Sequence, residues 1–175
     1  MVNEVIKALL ERRSIRSFIT DKKIEKNDLE AIVKTAYYAP SAMNRQTWHF
    51  TVVQNQEKIK MLAEALRVQL GRDKYDFYCP NVLILCSNNR ESAFAIEDCA
   101  CAMENIMVAA HSLGIGSVWI NQFNRVCDEP LVRKALNEVG VPEDNLVWGT
   151  AALGYEGDGP RREITKNENV VNWVL

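Results

Sequence analysis

Arg12, Arg13, Ser14, Ile15 and Arg16 bring three guanidinium groups and a hydroxyl together within five consecutive residues. A guanidinium presents a planar fork of donors that matches phosphate oxygens, and Ser14 adds a neutral hydrogen bond at the same centre. The chemistry this cluster suits is the binding of a phosphate-bearing anion. A second reading makes Arg12 and Arg13 the cationic last turn of a helix over residues 2–11, where positive charge suits the macrodipole. Arg16 lies beyond that helix end, and a second basic pair, Arg161-Arg162, follows a Gly/Pro stretch near the opposite end of the sequence.

The clusters act locally, because the chain as a whole is slightly acidic. Its formal charge is -2 and its isoelectric point about 5.8, which excludes a global basic field for nucleic acid or an anionic membrane surface. With 175 residues, 47% of them hydrophobic, the chain suffices for one domain over residues 1–175 and is short for two. No run reaches the roughly 18 apolar residues of a membrane span, and Asn3, Glu4 and Lys7 interrupt any signal-peptide centre, so a cytoplasmic location is expected. The five cysteines, Cys79, Cys86, Cys99, Cys101 and Cys127, are odd in number and irregular in spacing. They read as buried free thiols and not as a disulfide framework or a metal site. Neither His49 nor His111 has the neighbours of a triad or a metal centre.

The elements that must position the basic residues alternate along the chain. Val5, Ile6, Leu9 and Leu10 recur at helical spacing, as do Leu29, Ile32, Val33, Ala36 and Tyr37 after Asn27 or Asp28 as a cap. Residues 39–46 break the pattern with Pro40 and small polar residues, and residues 48–53 read as a strand. A helix over about residues 57–70, a buried strand over 82–86, and a long helix over about 91–113 follow. The long helix is apolar on nearly every face. At about 34 Å for roughly 23 residues it rivals a small domain's diameter, so it is expected to pack against its own copy across a two-fold axis. Residues 116–121 and 146–153 read as strands, and 129–139 as a helix. The β-prone run 170–175 is expected to pair with a sheet edge, such as the partner chain's. Without the regular rhythm of a doubly wound sheet, the class is α+β.

Several segments together resemble the nitroreductase family of flavin-dependent oxidoreductases: Arg12-Arg13-Ser14-Ile15-Arg16; the run from Ala39 through Pro40, Ser41, Ala42, Met43, Asn44, Arg45 and Gln46 to Phe50; Phe77-Tyr78-Cys79-Pro80; residues 98–105; Leu113-Gly114 through Ile120; and Leu153-Gly154-Tyr155 followed by Pro160-Arg161-Arg162. The resemblance implies a layered fold with a central, mostly antiparallel sheet flanked by helices, the long helix at a homodimer interface, and a C-terminal strand exchanged with the partner. It implies FMN as cofactor, held at the interface and touched by both chains. Arg12 and Ser14 would meet the phosphate and ribityl chain, with Arg13 beside them, and Arg16 the N1 and O2 edge of the flavin. Pro40, Ser41, Ala42, Asn44 and Gln46 would come from the other chain. Asn121 would supply a backbone donor to flavin N5, and Arg161 or Arg162 would complete the phosphate site.

The activity so implied is reduction of a small acceptor, nitroaromatic or quinone, by NADH or NADPH in ping-pong order. No general base is required, because the cofactor carries the difficult chemistry. No Rossmann glycine fingerprint is present, consistent with a nicotinamide that visits the flavin face without a domain of its own. Two other readings remain at this point: a flavin-binding storage or redox-sensing protein without efficient turnover, and a nucleotide or sugar-phosphate binder that uses the arginines alone.

Overall fold

A computed structural model describes residues 3–160 and 163–174. Arg161 and Arg162 lie outside the described residues, as do positions 2 and 175 of the helix and strand expected at the two ends. The helices are α1 (Glu4–Glu11), α2 (Lys26–Tyr37), α3 (Gln56–Gln69), α4 (Ala95–Ser112) and α5 (Pro130–Glu138), and the strands are β1 (Trp48–Val53), β2 (Val82–Asn89), β3 (Gly116–Ile120) and β4 (Asn145–Gly154). Single 3-10 turns occupy Ala42–Asn44 and Phe123–Arg125.

The four strands form one sheet in the order β1-β2-β4-β3, and every neighbouring pair is antiparallel. Side chains alternate across a pleated strand, and β2 shows the consequence. Leu83 and Leu85 point into a core with Leu62 and Leu66 of α3 and Leu136 of α5. Ile84 and Cys86 point into a second core with Ile32 of α2 and Met103 and Ile106 of α4. Two helices therefore cover each face of the sheet.

Several expectations need correction. Helix α2 begins at Lys26 after Glu25, which makes no capping bond. Asn27 and Asp28 lie inside the first turn, where Asp28 acts on the macrodipole and not as a cap. Strand β2 runs three residues past Cys86, where Ser87 finds cross-strand partners: its Oγ donates to His49 O at 3.2 Å and accepts from Asn145 Nδ2 at 3.2 Å. Helix α4 has 18 residues, fewer than expected, because a turn precedes it: Glu91 N–H donates to Asn89 Oδ1 at 2.8 Å and Ser92 N–H to Asn89 O at 3.1 Å. Its own chain leaves α4 partly uncovered. Cys99, Ala102, Met103, Ile106 and Ala110 are fully buried, whereas Ile96, Glu97 and Cys101 are exposed. Cys86, Cys99 and Cys127 are buried thiols, but Cys79 and Cys101 are exposed.

Apolar surface stays open to solvent near both ends of the described chain. Helix α1 buries none of its residues, leaving Val5, Ile6, Leu9 and Leu10 exposed. Residues 170–174 form no strand within the chain, and Val170, Val171, Trp173 and Val174 are exposed, Trp173 by 79%. Among the described residues no helix is long and apolar enough to cross a membrane.

Candidate functional site

The basic cluster sits on extended chain laid beside the sheet, not on the end of α1. Helix α1 closes at Glu11, and Arg12 turns the chain into an extended conformation while its N–H donates to Ala8 O at 3.0 Å. Ser14 bridges Ser117 of β3 in parallel, Ile15 N–H donates to Ser117 O at 2.9 Å, and Phe18 pairs antiparallel with Glu156. Ile15 and Phe18 pack on the α3/α5 core, while Arg16 between them stays exposed. The approach leaves little room for a side chain on the facing glycines. A Cβ on Gly116 would lie 3.0 Å from Ile15 Cβ, and one on Gly159 would collide with Ser17 Cβ.

This packing shapes a cavity of about 580 Å³. Arg12, Arg13, Ser14 and Arg16 line one side, and residues 156–160 and 163–166 supply the rest, without Asp158. The described lining carries four cations, Arg12, Arg13, Arg16 and Lys166, against the carboxylates Glu156 and Glu163, so a net positive site is set into an acidic chain. Arg12 Nε is buried without a hydrogen-bond partner; Glu104 Oε1 of α4, 3.5 Å away, forms an ion pair with it but no hydrogen bond. An underused guanidinium among other cations fits the phosphate end of a cofactor. Arg161 and Arg162 lie outside the described residues, and their sequence neighbours Pro160 and Glu163 both line the cavity.

The Pro40 loop lines no part of that cavity. Ser41 and Ala42 are half-buried, and Pro40, Asn44 and Gln46 are exposed. Met43, Asn44 and Gln46 have φ of 52°, 52° and 49°, a left-handed conformation uncommon outside glycine. Internal bonds support this course: Asn44 N–H to Ser41 O at 2.9 Å, Gln46 N–H to Ser41 Oγ at 3.2 Å and Gln46 Nε2 to Asn44 Oδ1 at 2.9 Å. A further bond ties the loop to α4, from Ala42 N–H to Asp98 Oδ1 at 2.8 Å. Asn121, at the end of β3, is exposed; it does not line the arginine cavity, and its N–H donates to its neighbour Gln122 Oε1 at 3.1 Å.

The structure thus brings Arg12, Arg13, Ser14 and Arg16 together and holds Pro40, Ser41, Ala42, Asn44, Gln46 and Asn121 apart from them. It also adds residues the sequence reading missed. Glu104, Glu156 and residues 163–166 carry no signal of their own. Asp98 does: it is an acid within the apolar stripe of Ala95, Cys99, Ala102 and Met103. Arg67, in the last turn of α3, and Arg72 beyond it are engaged locally, Arg67 with Glu64 at 2.7 and 2.8 Å and Arg72 over the Tyr75 ring at 5.2 Å.

Known proteins share this sequence pattern and this fold. The sequence pattern of the Nitroreductase family matches residues 9–78 and 77–155. A relative in Archaeoglobus fulgidus, named "Putative NADH dehydrogenase/NAD(P)H nitroreductase", is 38% identical over 165 residues, covering 90% of this chain and 88% of its own. An FMN reductase of Bacillus subtilis that uses NAD(P)H is 29% identical over 172 residues, covering 86% of this chain and 67% of its own. The crystal structure of a nitroreductase from Bacteroides fragilis with bound FMN superposes with a TM-score of 0.94 at 38% identity, over 99% of this chain and 100% of that one. The chain belongs to the nitroreductase family.

Proposed function

We propose that the chain is a single FMN-binding domain that works as a homodimeric, NAD(P)H-dependent oxidoreductase in the cytoplasm and reduces small nitroaromatic or quinone acceptors. The observation that carries this reading is the cavity in which Arg12, Arg13, Ser14 and Arg16 converge with an excess of positive charge, while the Pro40 loop lies outside it. Two half-sites that do not meet within one chain meet if a second copy supplies the missing half. The open apolar faces of α1 and of residues 170–174, and the exposed side of α4, are the kind of surface a second copy covers.

When bound, FMN supplies hydride acceptance from NAD(P)H and its delivery to the acceptor in ping-pong order. The residues bind and bias it. Arg12 and Ser14, with Arg13 beside them, take the phosphate and ribityl chain, with Arg161 or Arg162 added to the phosphate. Arg16 places positive charge at the N1 and O2 edge. Pro40, Ser41, Ala42, Asn44 and Gln46 of the second chain close the other side, and the Asn121 N–H serves N5 once it leaves Gln122. No side chain is assigned a proton-transfer role.

The test is spectroscopic. Purified protein should carry flavin colour that bleaches on anaerobic addition of NADH or NADPH and returns on addition of a nitroaromatic or a quinone. Colour that does not bleach would reduce the protein to a flavin-binding module, and a chain that binds no flavin would overturn the reading.

A further inference from the structure

Asp98 is 4% exposed and lies in the first turn of α4 among Ala95, Cys99, Ala102 and Met103. A carboxylate placed in an apolar core is unfavourable unless its oxygens find donors. Asp98 Oδ1 accepts from Ala42 N–H at 2.8 Å across 56 residues of sequence, within the range of a charge-assisted bond, and the N-terminal turn of α4 favours the negative charge. Among the described residues, the other hydrogen bonds of residues 40–46 are internal to the loop. Left-handed conformations at Met43, Asn44 and Gln46 persist only where the surroundings impose them. The bond to Asp98 is the point at which the rest of the fold imposes this one.

We propose that Asp98 is a positioning residue for the cofactor site: by holding the Ala42 N–H it fixes the course of the Pro40 loop against which FMN binds. This rests on the reading that the loop meets FMN. It also limits what Ala42 can do. Its N–H is committed inward to Asp98, so Ala42 contributes the placement of the backbone and its small size, not a donor to the cofactor.

Four variants test it: Asp98→Ala, which deletes the acceptor; Asp98→Asn, which keeps an acceptor oxygen; Ala42→Pro, which deletes the donor after an already extended Ser41; and the double variant Asp98→Ala/Ala42→Pro. The readouts are the Kd for FMN and the visible circular dichroism of bound FMN. Asp98→Ala and Ala42→Pro should each raise the Kd about tenfold or more, the scale of one lost charge-assisted bond. Both should alter the dichroism, and the double variant should be no worse than either single. Asp98→Asn should stay within about threefold of wild type. A wild-type Kd with unchanged dichroism in Asp98→Ala, or effects that multiply in the double variant, would overturn the proposal. If Asp98→Ala does not fold, a wild-type Kd in Ala42→Pro overturns it equally. A wild-type protein that binds no FMN would sink the parent reading, and this one with it.

Discussion

Arg12 Nε lies 3.5 Å from Glu104 Oε1, so the arginine cluster is referenced to α4, the same helix whose Asp98 holds the Pro40 loop. The pair is not a hydrogen bond and the Glu104 side chain is 45% exposed, so the pair contributes little by itself, about 0–1 kcal/mol. On the proposed function, Arg12 and its unpaired donor are what matter for binding. Arg12→Ala should raise the Kd for FMN by about ten- to a hundredfold, equivalent to about 1.5–3 kcal/mol for a hydrogen bond to a charged group. Glu104→Gln should change it by less than about fivefold. Fluorescence titration of both variants checks the contrast; equal losses would make the ion pair, and not the arginine, the binding element.

Arg16 lines the cavity but is exposed, so its charge acts through water and should tune the cofactor more than hold it. Arg16→Ala should lower the two-electron potential of bound FMN by about 30 mV, a tenfold change in the redox equilibrium. Redox titration against a reference dye measures this, and an unchanged potential rejects the role.

Asp128 receives Arg90 at 3.0 and 3.1 Å and Arg133 at 2.9 Å. The hydrogen bond from Arg90, and then that from Arg133, hold its carboxyl below the usual aspartate range. A depressed folded value gives stability that is present above the unfolded value of about 3.9 and is lost as pH falls through the folded one. Asp128→Asn should therefore lower the Tm at pH 7, by no more than about 4 °C because the group is mostly exposed. The difference from wild type should shrink as pH drops below about 4. A difference that stays constant between pH 7 and pH 2 would remove Asp128 from the acid response.

Cys101 offers a test of the proposed oligomer. Cys86 is buried, and its neighbour Cys99 together with burial pushes its thiol well up; burial does the same for Cys127. At the surface, burial and Asp76 still raise the Cys79 thiol, and Cys101 stands on the exposed side of α4. If α4 packs against its copy, Cys101 in the native protein should react with a maleimide at least about tenfold more slowly than after denaturation. Labelling within minutes in the native state would remove α4 from the interface.

How much of this was legible in the sequence depended on range. Strand β1 matches its reading, because a run rich in aromatic and β-branched residues carries its own signal. The polar end of β2 does not, because Ser87 is acceptable there only with His49 and Asn145 beside it. Likewise the extended course of residues 12–19 is set by Ser117, Tyr155 and Glu156, more than a hundred residues away. The arginines suggested an anion site by type alone, and the fold brings Arg12, Arg13 and Arg16 to one cavity. The Asp98 bond to Ala42 could not be read that way, since an acid in an apolar stripe announces a partner without saying which.

The central claim is that one site is built from the Arg12–Arg16 segment of one chain and the Pro40 loop of another, and subunit mixing tests it most directly. A chain carrying Arg12→Ala and Arg16→Ala is co-expressed with a chain carrying Ser41→Trp, and the heterodimer is isolated with two affinity tags. A shared site predicts that the heterodimer regains one FMN site of wild-type affinity, although each homodimeric variant binds weakly, because one of its two sites draws both halves from unaltered segments. A heterodimer as weak as its parents, with no wild-type site, would place both halves within one chain and contradict the account.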